Sequence, residues 1–204
     1  MKRAFTRVEL LMAITIIAIL AALLLPVLSR AKSSAKRAVC ISNIRQINLA
    51  VRLYVDEHEG AIPYYTNNLY FDYKENILSY AGSGNSLTNN AVFACPADDF
   101  NLAGPIGSWF FETSNGKGFC RQTWTRFSSY AFKGMARGTN NDFGMAQKPF
   151  SSVREPSKTE LIGEISGYVG LSSHDRLQPL QFPDARNVMS FVAGHVNYVK
   201  IYWN

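Results

Sequence analysis

Lys2-Arg3-Ala4-Phe5-Thr6-Arg7-Val8-Glu9 opens the chain, and an uncharged apolar run from Leu10 to Leu28 follows it. A helix rises about 1.5 Å per residue, so the run spans roughly 28 Å, close to the hydrocarbon thickness of a bilayer. It predicts a membrane-crossing helix. Glu9 is the carboxylate at its edge, and an ionisable group in lipid costs on the order of 2.5–3.5 kcal/mol at mid-bilayer and less near an end, so it calls for a partner. A cut between Ala4 and Phe5 would create one, an α-amino group four residues ahead of Glu9 in the chain.

An ordinary secretory signal has a shorter apolar core and an Ala-x-Ala-like cleavage site beyond it. Here the run is long and continues into Ser29-Arg30-Ala31-Lys32-Ser33, which favours retention of the helix in the finished protein.

These residues resemble the start of the type IV pilins and of the pseudopilins of type II secretion systems. The family signature is a short basic leader, a small residue at the cut, Phe-Thr, two residues, Glu and a long apolar helix. In this chain Lys2-Arg3, Ala4, Phe5-Thr6, Arg7-Val8, Glu9 and Leu10 onward occupy those places, with Ala4 where the family usually has Gly. The resemblance implies a leader of residues 1–4, removed between Ala4 and Phe5 by a prepilin peptidase that also N-methylates Phe5. It further implies a single-pass protein of the inner membrane, with its N-terminus cytoplasmic and its head periplasmic. Its partners would be membrane lipid, an inner-membrane assembly platform and other pilin or pseudopilin subunits. Glu9 would pair with the methylated amine of an adjacent Phe5 and set axial register in a periplasmic or cell-surface filament. Charge counting alone does not give this orientation, because more basic residues follow the span than precede it.

The net charge of +6 belongs to the N-terminal quarter. Residues 1–55 hold 9 Lys/Arg against the single acid Glu9, whereas residues 56–204 hold 12 against 14. A head with a balance of −2 lacks the clustered cations that nucleic acid rewards, so no nucleic-acid partner is expected. Arg30, Lys32, Lys36 and Arg37 lie just beyond the apolar run, either as a solvated helix face or as contacts for lipid headgroups or acidic neighbours.

Beyond Pro26 the helical pattern resumes. Ile41, Ile44, Ile47, Val51, Tyr54 and Val55 fall at three- and four-residue spacing, which predicts an amphipathic continuation over residues 29–59. Pro26 removes one backbone bond and is expected to kink the helix; pilins carry a proline at the matching place, where the resemblance implies local melting on assembly. Gly60-Ala61-Ile62-Pro63 ends the helix, and a globular head fills residues 60–204. In the head, residues 73–81 predict a short helix stopped by Gly82, and Val92 to Pro96 a brief strand. Residues 101–145, rich in Gly with Asn140-Asn141, form an irregular insertion. Thr159 to Ile165, Val188 to Val192 and Val196 to Trp203 predict strands, the last two joined by the tight turn Ala193-Gly194-His195. The fold class is therefore α+β: a long N-terminal transmembrane and stalk helix packed on a C-terminal antiparallel sheet, the pilin fold.

The head has a second, narrower resemblance to a large group of pilin-like proteins from planctomycete-type and verrucomicrobial-type bacteria that carry His, nine residues and Asp-Gly near the C-terminus. Cys40 to Ile47 matches that group's Cys-x-x-Asn-Leu-x-Gln-Leu helix, Cys95-Pro96-Ala97-Asp98 its Cys-Pro-x-Asp, Pro156 to Thr159 its entry to the next strand, and Val188 to Val196 its final hairpin. The motif itself is degenerate, with Pro183 and Ala193 at its two polar places and Gly194 retained.

Three cysteines, Cys40, Cys95 and Cys120, allow one disulfide, and an extracytoplasmic head permits it. Cys95 with Cys120 would close a loop in the head; Cys40 with Cys95 would staple the head to the helix. No Cys-x-x-Cys or paired His spacing is present, so no metal is expected. Asp98-Asp99, His174-Asp175, Asp184 and His195 are the polar groupings that bear on chemistry. They form no tight Asp/Asn array of the kind that holds calcium. A hydrolase would need Ser190, His195 and Asp184 to converge, yet Ser190 and His195 fall on opposite arms of a predicted hairpin and no Gly-x-Ser-x-Gly elbow exists. Neither catalysis nor a cofactor is expected. The functions that remain are a secretion or pilus subunit, an adhesin or DNA-uptake minor pilin, and a membrane-tethered binding protein that never assembles.

Overall fold

The computed structural model describes residues 6–63, 71–82, 91–98, 121, 128–132, 149–165, 174 and 186–200. The cleavage residues Ala4 and Phe5, Cys120, Asp99, Asp175, Asp184 and most of the insertion at 101–145 lie outside the described residues.

Helix α1 (Arg7–Glu57) is one element of 51 residues, long and apolar enough in its first half to cross a membrane. It continues through Pro26, so the proline does not end it. The chain divides into two compact units, residues 1–35 and 36–204. In the first, every described residue is exposed. In the second, Cys40, Ile44, Ile47, Val51 and Val55 are buried at the spacing of one helical face, while Ile41 and Tyr54 pack against its margin. The end of α1 is set by Glu59 rather than by Gly60 alone: Glu59 takes the left-handed conformation (φ 55°), and the Gly60 N–H then returns to the Val55 carbonyl at 2.9 Å. That six-to-one bond satisfies one of the carbonyls a helix leaves open at its C-terminus.

The head carries a short helix α2 (Tyr73–Ile77) and a four-stranded antiparallel sheet in the order β1-β2-β3-β4, formed by Tyr130–Phe132, Glu160–Glu164, Arg186–Phe191 and Val196–Lys200. The three expected strands are present, the last as far as Lys200, since Trp203 lies outside the described residues. β1 is an addition from within the segment expected to be irregular, and its three residues are all buried, so they show no in-out alternation. Val92-Phe93 corrects another expectation. Ala91–Phe93 is a 3-10 turn, not a strand: the Ala94 N–H returns to the Ala91 carbonyl at 3.2 Å.

One core joins helix to sheet. Ile44, Ile47 and Val51 of α1 share it with Tyr73 and Ile77 of α2, Phe93, Phe132, Leu161, Ile162 and Val188. Burying such a side chain contributes about 1.5–3 kcal/mol, so the lower half of α1 belongs to the head as firmly as the strands do. Tyr73 stacks on Phe132 with centroids 5.2 Å apart, and the Lys74 ammonium sits 4.7 Å over the Phe93 ring. The β3–β4 hairpin turns at Gly194, whose φ of +97° suits glycine and whose missing Cβ makes room for the Arg52 guanidinium. Arg52 Nη2 donates to the Val192 carbonyl, and Asn48 Nδ2 donates to the Phe191 carbonyl at 3.1 Å. Two polar residues of α1 thereby hold the rim of the hairpin.

Candidate functional site

At the start of α1 the Thr6 hydroxyl oxygen accepts the Glu9 N–H at 3.2 Å. Glu9 Oε2 in return accepts the Thr6 N–H at 2.9 Å and the Thr6 hydroxyl proton at 2.8 Å. This is a reciprocal capping box, and it occupies donors that a helix start leaves open. Sequence reading treated Glu9 only as a charge in search of an amine; Thr-x-x-Glu ahead of an apolar run was the signal for the second role. Both bonds fall on Oε2.

Every large apolar side chain from Val8 to Leu28 is exposed, with Val8 at 70% and Leu23 at 67%. Of the basic residues beyond that stretch, Arg30 and Lys32 are exposed, while Arg37 places its guanidinium 4.8 Å over the Tyr198 ring. Arg37 is thus a packing residue of the head, not a free cation for headgroups.

In the head, Cys40 of α1 and Cys95 are joined by a disulfide with Cα atoms 5.2 Å apart. Of the two pairings left open by the sequence, the one that staples head to helix is present, and Cys95–Cys120 is excluded. Beside the disulfide, His174 Nε2 lies 2.8 Å from Glu164 Oε1, with both side chains 1% exposed. Glu164 Oε2 accepts the Val188 N–H at 3.0 Å. Cys95 Sγ lies 3.5 Å from Glu164 Oε1 and 3.9 Å from His174 Nε2. Four groups separated by up to 134 positions in sequence thus meet in the core, brought together from distant elements, so local spacing could not reveal their proximity.

A polar framework supports Cys95. Its N–H donates to Ser129 Oγ at 3.0 Å, the Ser129 hydroxyl donates to Asp98 Oδ2 at 2.7 Å, and the Asp98 N–H returns to the Cys95 carbonyl at 3.0 Å. Asp98 is buried and holds a turn. Asn43 Nδ2 donates to the Ala94 carbonyl at 3.0 Å, linking the same turn to α1. Burial raises the Tyr130 phenol well above its ordinary value, and the nearby Glu164 charge adds to the shift.

Ser190 and His195 do not meet. The Ser190 hydroxyl donates to the Ile162 carbonyl at 3.3 Å, whereas His195 is exposed and stacks on Phe191 at 4.5 Å. Comparison with protein-family models, curated proteins and solved structures finds no match to this chain.

Proposed function

We propose that the protein is a type IV pilin-like or pseudopilin subunit, cleaved between Ala4 and Phe5, N-methylated at Phe5 and assembled through residues 5–59 into a helical filament for type II secretion or a surface pilus. The observation that carries this reading is the division of α1 into two regimes. Its C-terminal half is buried in the head, while its N-terminal half exposes an unbroken apolar surface that water cannot stabilise. Lipid satisfies that surface in a monomer, and equivalent helices satisfy it in a filament. Glu9 is then the polar landmark of an otherwise slippery rod: pairing its carboxylate with the methylated Phe5 amine of a neighbour fixes axial position, because a charge left unpaired in an apolar bundle is costly.

N-terminal sequencing and mass spectrometry of the membrane-extracted chain test the processing, with N-methyl-Phe5 as the expected first residue. An intact Met1, or a terminus beyond residue 28, overturns it. Imaging of sheared cell-surface and periplasmic fractions tests assembly.

The second reading is a membrane-tethered head that never assembles, and the Thr6–Glu9 capping box favours it by giving the carboxylate a partner inside its own chain. Crosslinking between differently tagged copies separates the two. A filament yields ladders of crosslinked copies; a tether yields single chains.

A further inference from the structure

Cys40, Cys95, Glu164 and His174 each offer one ligand atom, and these atoms all lie within 4.8 Å of one another. Two thiolates, an imidazole nitrogen and a carboxylate oxygen are ligand types that zinc takes in closed tetrahedral sites, with bonds of about 2.3 Å to sulfur and about 2.0–2.2 Å to nitrogen and oxygen. Those bonds place neighbouring ligand atoms roughly 3.4–3.8 Å apart. Here the separations are 3.5 Å from Cys95 Sγ to Glu164 Oε1, 3.9 Å from Cys95 Sγ to His174 Nε2 and 2.8 Å from His174 Nε2 to Glu164 Oε1. Each differs from a tetrahedral set by about 0.6 Å or less. The disulfide between Cys40 and Cys95 must be broken before both sulfurs can ligate.

The surroundings are those of a built site. The Val188 N–H holds Glu164 Oε2 and so turns Oε1 toward the sulfurs, and the Ser129–Asp98 pair fixes the backbone of Cys95. Such outer contacts orient ligands and sharpen metal affinity. Cys40 comes from α1 and Glu164 from β2, so either a disulfide or an ion at this point ties helix to head.

We infer that the reduced chain binds one zinc ion through Cys40 Sγ, Cys95 Sγ, Glu164 Oε1 and His174 Nε2, so that one buried cluster closes the head by metal when reduced and by disulfide when oxidised. Reduction by a phosphine consumes one water, converts the disulfide to two thiols and yields the phosphine oxide. Zinc then displaces the two thiol protons, and the imidazole binds as its neutral form with the remaining proton on Nδ1. In the reverse direction a disulfide oxidant takes two electrons from the zinc thiolates, closes Cys40–Cys95 and releases the ion together with two thiolates of its own. The site is independent of filament assembly.

The test uses the full chain in detergent, carrying Cys120→Ser to remove the third thiol, reduced with a phosphine under anaerobic conditions and titrated with cobalt(II). The expected result is one equivalent bound, with visible bands of tetrahedral cobalt and a sulfur-to-cobalt charge-transfer band, all bleached by one equivalent of zinc. The oxidised chain gives no such bands. His174→Ala and Glu164→Gln, whose oxidised forms report folding by circular dichroism, are expected to weaken cobalt binding by tenfold or more when reduced. A reduced chain that binds no cobalt, folded or not, overturns the inference. Equal affinity in the parent and His174→Ala overturns it as well, since that result assigns binding to the thiols of an unfolded chain.

Discussion

Thr6 and Glu9 exchange hydrogen bonds in both directions, hydroxyl oxygen to backbone N–H one way and carboxylate to backbone N–H the other. The carboxylate therefore starts the helix before it can do anything for a neighbouring molecule. Helix initiation and the proposed subunit register are separable by mutation, because only the first needs the Thr6 side chain.

Thr6→Ala is expected to cost the start of α1 about 1 kcal/mol, seen as faster amide exchange over the first turn, while co-assembly with tagged wild-type subunits continues. Glu9→Leu is expected to insert in the membrane and to be cleaved, yet to be missing from the sheared filament fraction. Recovery of Glu9→Leu in that fraction at wild-type levels would remove the register role.

The Cys40–Cys95 bond closes a span of 55 positions. Chain entropy for a loop of that size amounts to about 4 kcal/mol. Cys40→Ser and Cys95→Ser are each expected to lower the denaturation midpoint of the oxidised chain and to abolish its mobility shift on reduction. Cys120→Ser is expected to leave both unchanged.

A methyl group on Gly194 would sit 2.9 Å from Arg52 Nη2, at a backbone φ of +97° that side chains rarely adopt. Gly194→Ala is expected to destabilise the head by about 1–3 kcal/mol. Adding Arg52→Ala relieves the clash but not the φ penalty, so thermal denaturation of the double variant should show partial recovery at most.

Tyr73 and Tyr130 are buried phenols, and desolvation pushes both above the ordinary tyrosine value. Their neutral forms suit the fold, so the stability linked to them is complete below the unfolded-state value of about 10 and declines as pH rises beyond it. The decline is about 1.4 kcal/mol per pH unit for each group. The tyrosinate absorbance of Tyr73 and Tyr130 should lag and then rise together with unfolding, and Tyr73→Phe should make the alkaline fall in stability shallower.

The helix and the C-terminal hairpin were legible because their signals are local. Ile44, Ile47 and Val51 repeat at helical spacing, and Ala193-Gly194-His195 punctuates two apolar runs. Tyr130-Ala131-Phe132 was not legible as a strand: it is three residues long, buried throughout and set among glycines, and its identity comes from pairing with Ile162 to Glu164. The same holds for the buried cluster. Nothing near Cys40 in sequence announces Glu164 or His174; β2 carries Glu164 to the helix, and His174 meets it there. Glu59 shows the converse limit, since a glycine stands one place after the residue that takes the left-handed turn.

The Cys40–Cys95 link also decides how the molecule answers a pull. Tension applied to the greasy end of the helix enters the head at Cys40 and crosses directly to Cys95, bypassing the residues between them. If the head unfolds under that pull, roughly 190 Å of polypeptide stays out of the force path while the bond is closed, and reduction without a replacement crosslink adds that length to it.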